Sequence, residues 1–154
     1  MNFIKSILHN IGVLIVGFIF AFIGVGLDLF FKISEFRSLP ALIIGCVFLA
    51  IGFLTRVWAT FYFYKQHMSV IRLEPQKELF TSGLYGFSRN PLYLGGNVFI
   101  FLGAVLLLGS PSGIVLTALA IIATNFMIRR EEKQLARDFG QQWIDYKNKV
   151  RRWI

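Results

Sequence analysis

Two polar segments contain most of the side chains that could do chemistry in this 154-residue chain. The first runs from Lys77 to Gly96 and reads KELFTSGLYGFSRNPLYLGG, and the second runs from Arg129 to Trp153 and reads RREEKQLARDFGQQWIDYKNKVRRW. In the first segment, the proline after Asn90 bends the backbone just before an apolar run begins. Because a bend at the start of a helix leaves backbone N–H groups for a polar ligand, this segment is suited to binding a carboxylate or another anion.

Two adjacent acids, Glu131 and Glu132, directly follow the last long apolar run. The carboxyl end of a helix disfavours negative charge, because the helix dipole opposes it there. We therefore expect a cationic or hydroxyl-bearing partner to compensate these acids. Pairing with Arg129, Arg130 or Lys133 is the simpler explanation on these residues alone.

Arg56 interrupts an apolar run, and an ionisable residue inside a membrane span marks a functional position by default. It could hold the phosphate or carboxylate of an acceptor substrate, or its long side chain could reach the cytoplasmic interface, and the sequence favours neither. His9 and His67 stand singly beside apolar runs, so structural roles at the interface are expected for them. Asp28, near the end of the first run, is expected to be solvated.

The composition excludes an ordinary soluble domain and a disordered chain, because 56% of the residues are hydrophobic and 16% are aromatic. The length is that of a single domain, 1–154. The only cysteine, Cys46, lies in an apolar run, which rules out a disulfide framework and a thiolate metal site. No metal is expected.

A membrane-crossing helix needs about 20 apolar residues, since a rise of about 1.5 Å per residue must cross about 30 Å of hydrocarbon. Four runs approach or exceed this length: 11–31, 39–64, 92–109 and 114–128. The fourth run is short, and we expect its helix to continue past Glu131. The turn composition of residues 110–113 predicts that the last two spans form a tight helical hairpin. The first run is too long for a secretory signal and lacks a cleavage pattern, so we expect it to be retained. The chain is therefore predicted to be an all-α integral membrane protein with four transmembrane helices.

The basic residues indicate how the chain is oriented. With four spans, thirteen of the sixteen Lys and Arg residues fall on the side of both termini and the central loop, whereas two, Lys32 and Arg37, fall on the opposite side. The positive-inside rule then places both termini in the cytoplasm, in a bacterial-type inner membrane or its equivalent. These thirteen residues form a basic collar on the cytoplasmic side. The formal charge of +8 comes mainly from this collar and does not indicate a nucleic-acid partner.

The tail carries an apolar stripe at helical spacing. Its members are Leu135, Phe139, Trp143, Tyr146, Val150 and Trp153. This pattern predicts amphipathic helices that lie on the membrane surface, divided at Gly140, with the Trp residues at the headgroup level.

Glycines recur at seven-residue spacing in three of the predicted spans. The pairs are Gly17 and Gly24, Gly45 and Gly52, and Gly96 and Gly103. Such spacing keeps small residues on one helix face and permits close helix packing in lipid, although glycine is also generally frequent in membrane helices.

Three ordered elements carry a resemblance to a known family. They are T-S-G-x-Y from Thr81, R-x-P-x-Y-x-G from Arg89, and E-E-x-x-L-x-x-x-F-G-x-x-W/Y-x-x-Y from Glu131. From Lys77 to its end, the chain resembles the membrane methyltransferase superfamily that contains the isoprenylcysteine carboxyl methyltransferases and the phospholipid N-methyltransferases. The first half resembles the family only as unspecific membrane helices.

The resemblance implies an enzyme that uses S-adenosylmethionine in a cytoplasmic pocket without a Rossmann domain. The chain has no strand-linked glycine fingerprint, in agreement with this. Carried over by position, the cofactor-binding residues are Lys77, Glu78, Leu79, Phe80, Tyr85, Arg89, Asn90, Pro91, Leu92, Tyr93, Glu131 and Glu132. Two positions depart from the prenylcysteine branch: Asn90 replaces a histidine, and Met127 replaces a substrate-contacting arginine. The second departure argues against a prenylcysteine carboxylate acceptor.

Methyl transfer from a sulfonium is an in-line displacement that mainly requires alignment of donor and acceptor. Aromatic faces such as Tyr85 and Tyr93 can stabilise the sulfonium, and Glu131 can accept hydrogen bonds from the cofactor. The expected acceptor is an amphipathic lipid or prenylated molecule that enters from the bilayer. Whether oxygen or nitrogen is methylated stays open, as does the oligomeric state.

Two other functions remain compatible with the sequence. An NADPH-dependent reductase similar to sterol reductases shares the R-x-P-x-Y-x-G region and the terminal F-G-x-x-W pattern, but the Glu131–Glu132 pair favours a methyltransferase. A non-enzymatic protein that binds anionic lipids through the basic tail is the other alternative. It leaves the segment from Lys77 to Gly96 unexplained.

Overall fold

The computed structural model describes residues 2–65 and 78–154, and the side chains of residues 2, 3 and 5 are not included. It contains four long helices, α1 (Asn2–Phe31), α2 (Leu39–Lys65), α3 (Pro91–Leu108) and α4 (Pro111–Lys149). A short 3₁₀ turn, Gly83–Gly86, precedes α3. By length and composition all four helices can cross a membrane, which confirms the prediction of a four-span, all-α membrane protein. His67 lies outside the described residues.

Helix α1 begins earlier than the predicted span at residue 11, because its polar residues find partners on α2. Ser6 donates to the Val57 carbonyl oxygen at 2.9 Å, and the Asn10 amide donates to the Thr60 hydroxyl at 2.8 Å. Ser6 and Asn10 are fully buried. Paired polar groups can lie inside a helical bundle at membrane depth, so the apolar run underestimates the length of the helix.

Helix α3 contains a π-helical segment, Leu94–Ile100, between two α-helical parts. Its glycines allow α2 to approach very closely. A Cβ on Gly52 would lie 2.6 Å from the Gly95 carbonyl oxygen, and a Cβ on Gly45 would lie 2.9 Å from the Gly103 carbonyl oxygen. The glycine spacing therefore marks a real helix contact. Gly95 and Gly96 of the π segment both lie against Arg56 of α2, and Gly103 lies against Gly45 and Leu49 of the same helix.

The hairpin between α3 and α4 is closed by Asp28 from α1. Gly109 ends α3 with a left-handed backbone, φ 66°, and the Ser110 hydroxyl caps α4 by accepting from the Gly113 N–H at 3.0 Å. The Asp28 carboxylate accepts hydrogen bonds from the Ser110 hydroxyl and, at 2.9 Å, from the Ser112 N–H. Asp28 is only 1% exposed, so the prediction that it is solvated is wrong. The start of α4 favours a carboxylate through its N–H groups and dipole.

Helix α4 continues beyond the apolar run as predicted and kinks at Gly140, φ 49° and ψ −120°. Most of the apolar stripe is buried inside the protein. Leu135, Trp143, Tyr146 and Val150 are buried together and pack against Leu79 and Phe139. The prediction that the stripe lies on the membrane is therefore wrong for these four residues. The kink folds the tail back, so its apolar face packs against the segment that precedes α3.

Candidate active site

A cavity of about 390 Å³ lies between the four helices and the segment that precedes α3. Its lining residues are His9 from α1, Arg56 and Phe63 from α2, Tyr85, Arg89 and Asn90, Leu92 and Tyr93 from α3, and Met127 and Glu131 from α4. Its volume is in the range of pockets that bind small molecules. All four helices and the segment that precedes α3 therefore contribute to one site.

Six of the residues predicted to bind the cofactor line this cavity. They are Tyr85, Arg89, Asn90, Leu92, Tyr93 and Glu131. The Tyr93 hydroxyl donates to the Glu131 carboxylate at 2.7 Å, which joins the two polar segments directly. Pro91 is buried at the start of α3, where the bent backbone of Asn90 (φ −134°, ψ 51°) turns into the helix. The predicted bend is therefore present and positions the side chains on both sides of it.

The other predicted cofactor residues lie behind or outside the cavity. Phe80 packs against Phe63, with ring centroids 4.9 Å apart, and against Tyr85 at 5.9 Å. Leu79 and Phe80 line a small adjoining hollow of about 20 Å³, whose wall also includes Tyr85. Glu78 is exposed. Lys77 lies outside the described residues.

Glu132 is compensated by two arginines, neither of which the sequence analysis paired with it. Its Oε1 lies 2.9 Å from Arg89 Nη2, and its Oε2 lies 2.6 Å from Arg152 Nη2. Hydrogen bonds from Arg152 to Glu132 raise the pKa of the Arg152 guanidinium. The expectation of a cationic partner is thus confirmed for Glu132. The partners come from the loop and the tail instead of from Arg129 and its neighbours.

The tail also holds the loop through its backbone. The Arg151 carbonyl oxygen accepts from the Arg89 N–H at 3.0 Å, and the Arg152 carbonyl oxygen accepts from the Asn90 side-chain amide at 3.1 Å. Tyr146 donates its hydroxyl proton to the Tyr85 carbonyl oxygen at 2.8 Å. These contacts of Arg151 and Arg152 could not be predicted, since backbone contacts between distant segments leave no periodic signal in the sequence.

Arg56 is buried, with 7% exposure, and faces the cavity. Its Nε donates to the Asn10 side-chain oxygen at 2.8 Å, and its Nη1 donates to the Leu92 carbonyl oxygen at 2.6 Å. Its Nη2 lies 3.4 Å from His9 Nε2. These contacts hold the guanidinium against α1 and the first turn of α3. The sequence gives no signal that His9 and Asn10 belong to this site, because their relation to Arg56 depends on how α1 packs on α2.

Comparisons with known proteins point to one class of enzyme. The family described as phospholipid methyltransferase matches residues 40–142. The protein-S-isoprenylcysteine O-methyltransferase of Saccharomyces cerevisiae is 34% identical over 115 residues, which cover 70% of this chain and 46% of the yeast protein. The chain thus spans about half the length of this relative. No solved structure gives a significant match.

Proposed function

The chain belongs to the phospholipid methyltransferase family, and from this membership we propose that it transfers a methyl group from S-adenosylmethionine to a lipid or lipidated acceptor in the membrane. One observation carries the proposal. The cavity of about 390 Å³ is lined by residues of both polar segments, which the Tyr93–Glu131 hydrogen bond joins. These are the segments on which the resemblance to methyltransferases rests.

The residues around the cavity fit S-adenosylmethionine. Phe63 and Tyr85 present aromatic faces, which attract a sulfonium or ammonium cation. Glu131 is half-buried and can accept hydrogen bonds from ribose hydroxyls or from an ammonium group. When bound, the cofactor supplies an electrophilic methyl group that an oxygen or nitrogen nucleophile takes directly.

The chain's own residues would mainly align the reactants and exclude water, which is what a direct displacement requires. Tyr93 fixes one oxygen of Glu131 by its hydrogen bond. The Glu132 ion pairs fix Arg89, and the tail backbone fixes Asn90. The loop that borders the cavity is therefore held from behind by side chains outside the lining.

We further propose that the site opens to the cytoplasm and that the acceptor enters from the bilayer. The basic collar supports this orientation through the positive-inside rule. Met127 lines the cavity and is also 55% exposed on the outer surface of α4, so the cavity wall reaches the lipid-facing side there. An amphipathic acceptor could keep its chain in lipid while its polar group lies in the cavity.

Ligand-induced thermal stabilisation tests the proposal. The purified protein in neutral detergent should have a higher Tm with S-adenosylmethionine and an unchanged Tm with NADPH, because a ligand that binds the folded protein stabilises it against unfolding. Incubation with methyl-labelled S-adenosylmethionine and total membrane lipid should then label one lipid class. Stabilisation by NADPH alone would instead support a reductase, and no response to either compound would favour an anionic-lipid-binding protein.

A further inference from the structure

Arg56 is a buried cation on the cavity wall, and the described part of the chain gives it no anionic partner. Among residues 2–65 and 78–154, no carboxylate lies within 4.0 Å of its guanidinium. Its three contacts go to a neutral amide on Asn10, a backbone carbonyl of Leu92 and an imidazole of His9. An uncompensated charge at membrane depth is costly, and such residues usually serve a ligand or ion.

The fold is shaped around this side chain. A Cβ on Gly95 would lie 2.7 Å from Arg56 Cγ, and a Cβ on Gly96 would lie 2.8 Å from Arg56 Nη1. The two glycines of the π segment therefore leave the space that the arginine occupies. A guanidinium has five N–H donors, and the three contacts above use one donor on each nitrogen. No described residue accepts from the second donor of Nη1 or of Nη2, and these two donors can serve a ligand.

His9 complements Arg56 as a hydrogen-bonding group. Arginine can only donate, so His9 Nε2 must accept in the contact of 3.4 Å. In the neutral tautomer that this contact requires, Nδ1 carries the proton and is a further donor of this cavity-lining side chain. Two donor groups on neighbouring helices suit a ligand with several anionic oxygens, because a guanidinium binds phosphate or carboxylate through paired hydrogen bonds.

We propose that Arg56, with His9, binds an anionic oxygen group of the methyl acceptor, either a phosphate or a carboxylate. This inference rests on the proposed function for the identity of the ligand as an acceptor. The depth of Arg56 favours the acceptor over the water-soluble cofactor. Arg56 lies nine residues before the end of α2 at Lys65, about 13 Å along the helix. Glu131, by contrast, follows the apolar part of α4.

Binding of simple amphiphiles tests the site without knowledge of the acceptor. Thermal unfolding is measured in neutral maltoside micelles with equal mole fractions of dodecyl phosphate, dodecanoate or dodecanol. We expect at least one of the two anions to raise the Tm by about 5 °C more than dodecanol does. The difference should disappear in Arg56→Gln and persist in part in Arg56→Lys, which keeps the charge but loses the forked geometry.

Arg130→Gln is the matched control, since it removes the same charge from an exposed position of the basic collar. It should keep the full anion effect. If Arg56→Gln does not fold, Gly96→Ala is the second variant, because its Cβ would displace the guanidinium. Equal stabilisation by dodecanol and both anions, or an undiminished anion effect in Arg56→Gln or in Gly96→Ala, would overturn the proposal.

Kinetics then distinguish the source of the anion and separate this proposal from the proposed function. With phosphatidylethanolamine vesicles or S-farnesylcysteine as acceptor, Arg56→Gln should raise the acceptor KM about tenfold or more and leave the cofactor KM nearly unchanged. The acceptor that shows this effect identifies the phosphate or the carboxylate. A rise in the cofactor KM alone would contradict the assignment to the acceptor. Anion binding without any binding of S-adenosylmethionine would refute the proposed function and leave Arg56 as an anion site.

Discussion

Glu131 and Glu132 are neighbours in the chain but have different surroundings. Glu131 lines the cavity and accepts from Tyr93, whereas Glu132 is held between Arg89 and Arg152. On a helix, adjacent residues point about 100° apart, so one acid can face a ligand while the next holds the scaffold. This difference leads to distinct predictions for the two acids.

Glu131→Gln should weaken S-adenosylmethionine binding about tenfold, because a neutral amide accepts weaker hydrogen bonds than a carboxylate. Isothermal titration calorimetry measures this loss. Asp138→Asn is the control, since Asp138 is an exposed acid on the same helix and does not line the cavity. Unchanged affinity in Glu131→Gln would remove Glu131 from the proposed cofactor site.

Tyr93→Phe should have a smaller effect, a loss of about threefold to tenfold in cofactor affinity. It removes the hydroxyl that orients Glu131 but leaves the aromatic ring in the wall, and one such hydrogen bond contributes about 1 kcal/mol. The same calorimetric titration applies. In the double variant Tyr93→Phe/Glu131→Gln, the loss of binding free energy should be smaller than the sum of the losses in the two single variants, since both changes act on one interaction. Additive losses would argue against this coupling.

Glu132→Gln should mainly reduce stability. The variant leaves Arg89, of whose side chain only 7% is exposed, without its carboxylate partner, and breaking a buried ion pair costs about 3 to 5 kcal/mol. We expect a lower Tm in detergent and faster proteolysis of the tail. Cofactor affinity should fall less than in Glu131→Gln. A direct cofactor contact of Glu132, as the family resemblance implies, would instead give a large affinity loss with little change in Tm.

At the scale of elements, the contact between α2 and α3 depends on glycines at which the two backbones approach each other. Gly52→Ala should destabilise the protein by about 1 to 3 kcal/mol, since its Cβ would lie 2.6 Å from the Gly95 carbonyl oxygen. Gly12→Ala is the matched control, because nothing lies within 4 Å of a Cβ there and alanine is the better helix former. Thermal unfolding in the same detergent compares the two. A Tm of Gly52→Ala equal to that of Gly12→Ala would contradict this packing.

At the scale of the whole molecule, the four helices and the basic collar predict the orientation of the chain. In a Cys46→Ser background, a cysteine introduced at Glu35, between α1 and α2, should react with a membrane-impermeant maleimide added outside intact cells. A cysteine at Gln141 should react only after permeabilisation, because residues 129–153 are expected on the cytoplasmic side. Both positions are accessible in the fold, since Gln141 and Glu35 are exposed. The reverse labelling pattern would invert the proposed topology.

The sequence by itself determined the features that depend on local pattern. Apolar runs indicate four spans because the length of each run must match the bilayer. Gly140 marks the position at which α4 kinks, and its backbone is non-helical. The ordered motifs indicate the family, which the match over residues 40–142 shows independently. Six of the predicted cofactor residues also line one cavity, since they flank the bend at Asn90 or follow the last span.

Only the tertiary structure decided which distant residues are partners. Asp28 closes the hairpin between α3 and α4 instead of facing water, and the stripe around Trp143 packs on protein instead of lipid. An apolar stripe packs against an apolar surface, but its spacing is the same whether that surface is lipid or protein. Likewise, a charge in a span requires a partner, and the partners of Arg56 come from α1 and α3. Such contacts depend on how helices pack, which the local sequence pattern does not encode.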